Sequence, residues 1–293
     1  MRPLFRFLTV YVSLFLAPVF APVFATMLVL TTTHLFAQVQ VPPPPDILQI
    51  YREPVKPGKM AEYKHVEAEA AMACSRANTW PYITMEGITG PQEVWFVSGF
   101  DSYAVMERSA EPFVRNATLA SELNRIMDAK GNLVSESRAI FLRYRPELGN
   151  NRGLMRPQTR FFTATMVLVN QGHEREYEES QRILRGVRER AAAADNRAIY
   201  QVVSGMPQNT YLTLSPYHSF REAGEALDGL VDYDDLDESV RGRVRELLST
   251  SVFSTQTFVF ALDPAISNPA GEWIADDPEF WKSSPAMRSG VKK

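Results

Sequence analysis

Apolar and polar positions change period along the chain, and the changes mark its elements. From Leu4 to Phe36 the residues are almost continuously apolar, broken by Pro18, Pro22 and a Thr31–Thr33 patch, and residues 1–37 contain Arg2 and Arg6 but no acid. A basic start, an apolar middle and a small residue at the end of Leu35-Phe36-Ala37 predict a cleaved export leader over 1–37, with Val23-Phe24-Ala25 as the alternative cleavage point. A retained span is the rival reading, because the apolar run approaches the ~20 residues that a bilayer crossing needs. The two prolines and the threonines weigh against it. Pro42–Pro45 then predict a stiff, extended spacer over 38–45.

Beyond the spacer the period alternates between that of strands and that of helices. A strand is predicted at about 46–53, ended by Pro54 and Pro57. A helix follows over 58–77, with Tyr63, Val66, Ala70, Cys74 and Ala77 recurring at steps of three and four. Strands at 81–87 and 93–100 flank a turn around Gly87–Pro91. Asp101 is the expected cap of a second helix, a further helix covers 115–130 before Gly131, and a last strand covers 138–145.

The same order is written a second time. Gly58 to Tyr63 and Gly172 to Tyr177 have identical spacing, each behind an apolar strand-like run. Gly90-Pro91-Gln92 is matched by Gly205-Met206-Pro207-Gln208, and Ala139–Tyr144 by Thr257–Leu262, each before a proline. Leu119, Leu123 and Met127 find partners in Leu236, Val240 and Val244. Repeats are therefore expected at 46–148 and 159–264, with a tail at 265–293. The second helix one spans about 173–194, and Ser219 with Glu222 reads as a capping box.

Strand, helix, two strands, helix, strand is the split βαβ, ferredoxin-like order. With the Lys56-Pro57-Gly58-Lys59-x-x-Glu62-Tyr63 turn, the chain resembles the dimeric α+β barrel superfamily, in particular its NIPSNAP-like and antibiotic-biosynthesis-monooxygenase-like members. The second copy departs from that turn with Asn170-Gln171-Gly172-His173. The resemblance implies an α+β fold: two tandem ferredoxin-like (βαββαβ) units whose sheets pair inside one chain as a pseudo-dimeric barrel. Each four-stranded sheet has one face covered by helices, and the other must be buried against a partner.

Composition narrows the function. The chain has 293 residues, 45% hydrophobic and 22% charged, which is globular composition. One cysteine excludes a disulfide framework and a cysteine-rich zinc module. A net charge of -3, made two charges more acidic if Arg2 and Arg6 leave with the leader, gives no footprint for nucleic acid. The expected location is periplasmic or extracellular, without membrane attachment once the leader is gone, as a monomer or homo-oligomer.

Candidate chemistry is sparse. The four histidines share no metal-ligand spacing, and no metal site is expected. His65 lies off the apolar stripe of its helix and reads as a surface residue. Relatives of the resembled fold include haem binders, which makes His65 a candidate axial ligand or base, although no cofactor is otherwise expected. Cys74 reads as a buried, inert thiol. The acids Asp232, Asp234, Asp235, Asp237 and Glu238 fail the calcium-loop template and suit a helix start instead. Tyr51, Arg52, Trp80 and Trp95 remain, with His65, as candidate ligand-binding residues of the first repeat. Aromatic walls with one Arg or Tyr suit a small apolar, aromatic or anionic molecule. The function expected is an exported small-molecule-binding or structural protein. The alternative is a cofactor-independent monooxygenase-like or haem-handling enzyme using a pocket in the first repeat.

Overall fold

The computed structural model describes residues 43–150, 158–190, 196–228 and 236–288, all within one unit, Gln40–Lys293. The expected leader, most of the spacer and the acids at 232–235 lie outside the described residues. Four strands form in the first half: β1 (Ile47–Pro54), β2 (Ile83–Gly87), β3 (Glu93–Phe100) and β4 (Arg138–Tyr144). Four more form in the second: β5 (Phe161–Val169), β6 (Ala198–Ser204), β7 (Thr210–Tyr217) and β8 (Val252–Leu262). They close into an eight-stranded barrel of order β1-β3-β2-β8-β5-β7-β6-β4. Each half contributes four adjacent strands, β4-β1-β3-β2 and β8-β5-β7-β6. Two seams join them: β2 to β8 over Met85–Gly87, and β4 to β6 over Phe141–Tyr144 with a register shift after Phe141. Closure leaves no free edge along the paired strands.

Alternation along each strand sends one set of side chains inward. Leu48 and Ile50 of β1 meet Trp95 and Val97 of β3, Phe162 and Ala164 of β5, Leu212 and Leu214 of β7, and Phe260 of β8. The barrel is thus filled with side chains rather than hollow. The chain after β8 folds back over it: Trp281 is buried in this core, with Trp273, Ile274 and Phe280 packed against it. Pro44 is buried, and Pro45 lies against Gly99 and accepts a hydrogen bond from the Tyr200 hydroxyl at 3.2 Å. The last prolines of the expected spacer are therefore part of the folded unit.

Helices cover the outer faces of the sheet. In the first half these are α1 (Met60–Arg76), α2 (Tyr103–Ser109), α3 (Glu111–Arg115) and α4 (Ala117–Lys130). In the second they are α5 (Glu174–Arg190), α6 (Phe220–Asp228) and α7 (Glu238–Ser251). Ser102, not Asp101, caps α2, its Oγ accepting from the Val105 N–H at 3.2 Å. Ser219 caps α6 as expected, but Glu222 returns its bond to the His218 N–H rather than to that of Ser219. The apolar landmarks of α4 and α7 are also displaced by one turn from those expected. Leu119 and Ile126 are buried in α4 with Leu123 half-buried between them, and Val244 and Leu247 are buried in α7 with Val240 half-buried before them, while Met127 is exposed and Leu236 precedes its helix. Stripes spaced by three and four slide onto themselves after a turn, so sequence alone does not fix which turn matches which.

Candidate functional site

The outer face of the first-half sheet and its covering helices do not close fully. Between them lies a cavity of about 480 Å³. Gln49, Tyr51 and Glu53 reach it from β1, and Phe96, Ser98 and Phe100 from β3. Glu67, Ala70 and Cys74 reach it from α1, Thr79, Trp80 and Tyr82 from the segment before β2. Met106, Ala110, Phe113, Met127 and Lys130 come from α2, α3 and α4. The period of two in β1 explains the floor: Gln49, Tyr51 and Glu53 point outward while Leu48, Ile50 and Arg52 point into the barrel.

The walls are aromatic. Trp80 stacks on Phe100, with ring centroids 5.3 Å apart and planes 19° from parallel, and its Nε1–H donates to the Gly99 carbonyl at 3.0 Å. Tyr82 meets Phe96 edge-on at 5.8 Å. Tyr51 accepts from Gln49 at 2.9 Å and is partly open to solvent, as are Phe113 and Met127. Aromatic pairs of this kind are held by ring quadrupoles as well as burial.

The inner end is charged. Lys130 Nζ donates to Glu53 Oε1 at 2.8 Å and Oε2 at 3.0 Å, and lies 2.9 Å from Glu67 Oε1. The Tyr63 hydroxyl donates to Glu53 Oε2 at 2.7 Å, and that of Ser137 to Glu53 Oε1 at 3.1 Å. Glu53, Glu67 and Lys130 are all buried. Glu67 Oε1 has the ammonium nearby but receives no hydrogen bond of acceptable geometry. Burial pushes the Glu67 carboxyl up, with Glu53 adding to the shift and Lys130 opposing it. Lys130 is itself raised, because Glu67 and Glu53 outweigh the burial that works against its charge. Burial also raises the hydroxyls of Tyr63 and Tyr82, which stay neutral.

The candidate residues divide by face. Tyr51 and Trp80 line the cavity. Arg52 and Trp95 lie on the other side of the sheet, inside the barrel. There Arg52 holds Glu93 through Nη2 at 2.9 Å and stacks 4.9 Å above the Trp95 ring, which itself packs 4.5 Å from Phe260. Arg52 is thus a core ion pair and offers the cavity no cation. His65 points to solvent, its side chain 79% exposed and Nε2 3.6 Å from Glu69. No histidine among the described residues lines the cavity, so its residues do not fit a histidine-ligated haem, and His65 is not placed to serve as axial ligand or base. Among the described residues no cluster of His, Cys, Asp or Glu is arranged to hold a metal ion, and no helix is long and apolar enough to cross a membrane.

Glu53, Glu67 and Lys130 are the residues that the sequence reading missed. Glu67 falls one step after Tyr63 on the apolar stripe, and Lys130 follows Ile126 by four on the next. A charge at a core position of an amphipathic helix was the signal available.

No family model matches the chain, and no curated protein matches its sequence. Solved structures do. An anthrone oxidase-like protein is 12% identical with a TM-score of 0.50, over 76% of this chain and 94% of that one. A candidate monooxygenase from Lactobacillus acidophilus NCFM is 11% identical with a TM-score of 0.49, over 74% and 93%. A chlorite dismutase variant from Candidatus Nitrospira defluvii is 6% identical with a TM-score of 0.47, over 75% and 93%. At such identities the likeness is one of fold alone: the mixed α+β architecture with a closed eight-stranded barrel, as in the dimeric α+β barrel proteins.

Proposed function

We propose that the chain is a small-molecule-binding protein whose ligand occupies the first-half cavity. We read its two halves as tandem ferredoxin-like units paired as an internal pseudo-dimer. The identical strand order of β4-β1-β3-β2 and β8-β5-β7-β6 supports that reading. The observation that carries the function is the cavity itself: about 480 Å³, walled by aromatic rings and ending on buried polar groups. Ligand sites combine apolar walls with a few placed polar groups in this way. The ligand is mainly apolar and flat. The first 37 residues support an exported location, and fractionation of expressing cells with N-terminal sequencing of the product tests it.

Titration with 2-naphthylmethanol, followed through Trp80 fluorescence, tests the binding function. Saturable quenching is expected, lost in Trp80→Phe as signal and in Ala70→Trp as binding, with the fold of Ala70→Trp checked by circular dichroism. Absence of saturable binding by calorimetry up to the solubility limit would overturn it. An enzyme acting in the same cavity is the second reading, and the buried Glu67–Lys130 pair favours it, because carboxyls raised by burial are suited to proton transfer.

A further inference from the structure

Resting on the reading of the cavity as a ligand site, we propose that its ligand carries a positive charge: an ammonium group on an apolar, aromatic-compatible body, received by Glu67. The charge balance of the lining motivates this. Its ionisable cation is Lys130, and its carboxyls are Glu53 and Glu67. Lys130 donates twice to Glu53, whose two oxygens are also taken by Tyr63 and Ser137. Glu53 is thereby fully engaged. Glu67 shares the same ammonium, with Lys130 Nζ 2.9 Å from its buried Oε1, while among the described residues no side chain donates to its Oε2. A donor brought by the ligand would complete it, and a charged donor would also cancel the excess negative charge of two carboxylates on one ammonium.

The rings around the cavity favour the same ligand. Their faces are electron-rich and attract an organic cation within about 6 Å. An anionic ligand meets the opposite situation. Lys130 is occupied, Arg52 is inside the barrel on Glu93, and Glu67 would repel the anion. Of the apolar, aromatic and anionic ligands that the sequence left open, the anionic one is the least suited to this lining.

The second half indicates that the charges are not required to build such a unit. By the spacing of Tyr63 and Tyr177, Glu53 corresponds to Val167 and Glu67 to Gln181. By the buried stripes of α4 and α7, Lys130 corresponds to Ser251. That half folds with uncharged residues at all three places.

Three probes of one shape make the test: 2-naphthylmethylamine, 2-naphthylmethanol and 2-naphthoate, titrated calorimetrically into the full chain at neutral pH. The amine is expected to bind about tenfold or more tightly than the alcohol, as a charge-assisted hydrogen bond implies, and the carboxylate most weakly. Glu67→Gln is expected to bring the amine to within about twofold of the alcohol. Amine affinity in the wild type rises with pH through the titration of Glu67, because a proton on Glu67 competes with the ligand, and is flat in Glu67→Gln. The charged and titratable groups facing Glu67 are Glu53 on β1, Lys130 on α4, Tyr63 on α1 and Tyr82 before β2. Should Glu67→Gln fail to fold, Glu53→Val/Glu67→Gln/Lys130→Ser, which gives the first half the uncharged residues of the second, makes the same comparison. Equal or tighter binding of alcohol or carboxylate, or an amine preference that survives loss of Glu67, overturns the proposal. Failure of all three probes to bind overturns the cavity reading itself.

Discussion

Lys130 is the residue on which the most depends locally. It sits between two buried carboxyls, and its own charge is the compensation for both. Removing one partner of a buried ion pair typically costs about 3–5 kcal/mol, because the other charge is left uncompensated. Lys130→Met is therefore expected to lower the urea unfolding free energy by about that amount at neutral pH, and by less in acid, where the carboxyls take up protons. Glu67 gives the opposite pH signature. Its carboxyl is raised on folding, so its favourable contribution is present below its unfolded value, about 4.3, and is lost as pH rises through the folded value. The stability of the wild type minus that of Glu67→Gln is expected to fall as pH rises from about 4 towards neutrality. Unfolding curves for the two proteins across that range check it, and a difference that is constant or rises with pH contradicts the assignment.

These residues were present in the sequence but hidden by their surroundings. Tyr51 and Trp80 were legible as site candidates because alternation and turn position place them. Arg52 and Trp95 were grouped with them as part of one cluster of aromatic and polar strand residues in the first repeat, although alternation puts Arg52 on the face opposite Tyr51 and pairs it with Trp95. Glu67 and Lys130 escaped notice because charge on a helix is usually solvent-facing. The pairing that makes them tolerable in the core spans α1, α4 and β1, and no local pattern contains it.

At the scale of elements, strand β3 lies where its period-two pattern predicted, and β1, β4, α1 and α4 differ by only a few residues at their ends. The matching of α4 to α7 was off by a turn because amphipathic spacing repeats every turn. Seams between halves were not legible, since they pair edge strands far apart in sequence. Gly205 shows what such a seam demands. It has φ +89°, and a Cβ there would lie 2.1 Å from the Ala139 carbonyl on β4. Gly172 has φ +89° too, but open space around it. Gly172→Ala is expected to cost only the left-handed backbone, about 1–2 kcal/mol. Gly205→Ala is expected to cost clearly more, because the β4–β6 approach must also open. Paired thermal denaturation of the two variants measures the difference, and equal losses would mean that the seam does not depend on this contact.

For the molecule as a whole, the filled barrel and the returning tail form one core. Trp281 is 3% exposed within it, and Arg160 ties the tail to β5 by pairing with Asp277 and lying 3.9 Å over the Phe280 ring. Trp281→Ala is expected to destabilise by about 3–5 kcal/mol, as for other fully buried tryptophans, with loss of the cooperative transition's steepness only if the tail unfolds separately. Chemical denaturation read by fluorescence and circular dichroism together distinguishes the two outcomes. Fold class was legible from the repeated order of elements and the resemblance it carries, whereas the shape of the cavity was not, because a void is a property of packing rather than of any residue.

The charged cluster of Glu53, Glu67 and Lys130 occurs in one half, with Val167, Gln181 and Ser251 in the other. An assembly of two identical chains would carry such a cluster twice and could bind two ligands with coupled affinities. On the proposed function, a single charged floor per chain is expected to give an end point of one equivalent per polypeptide.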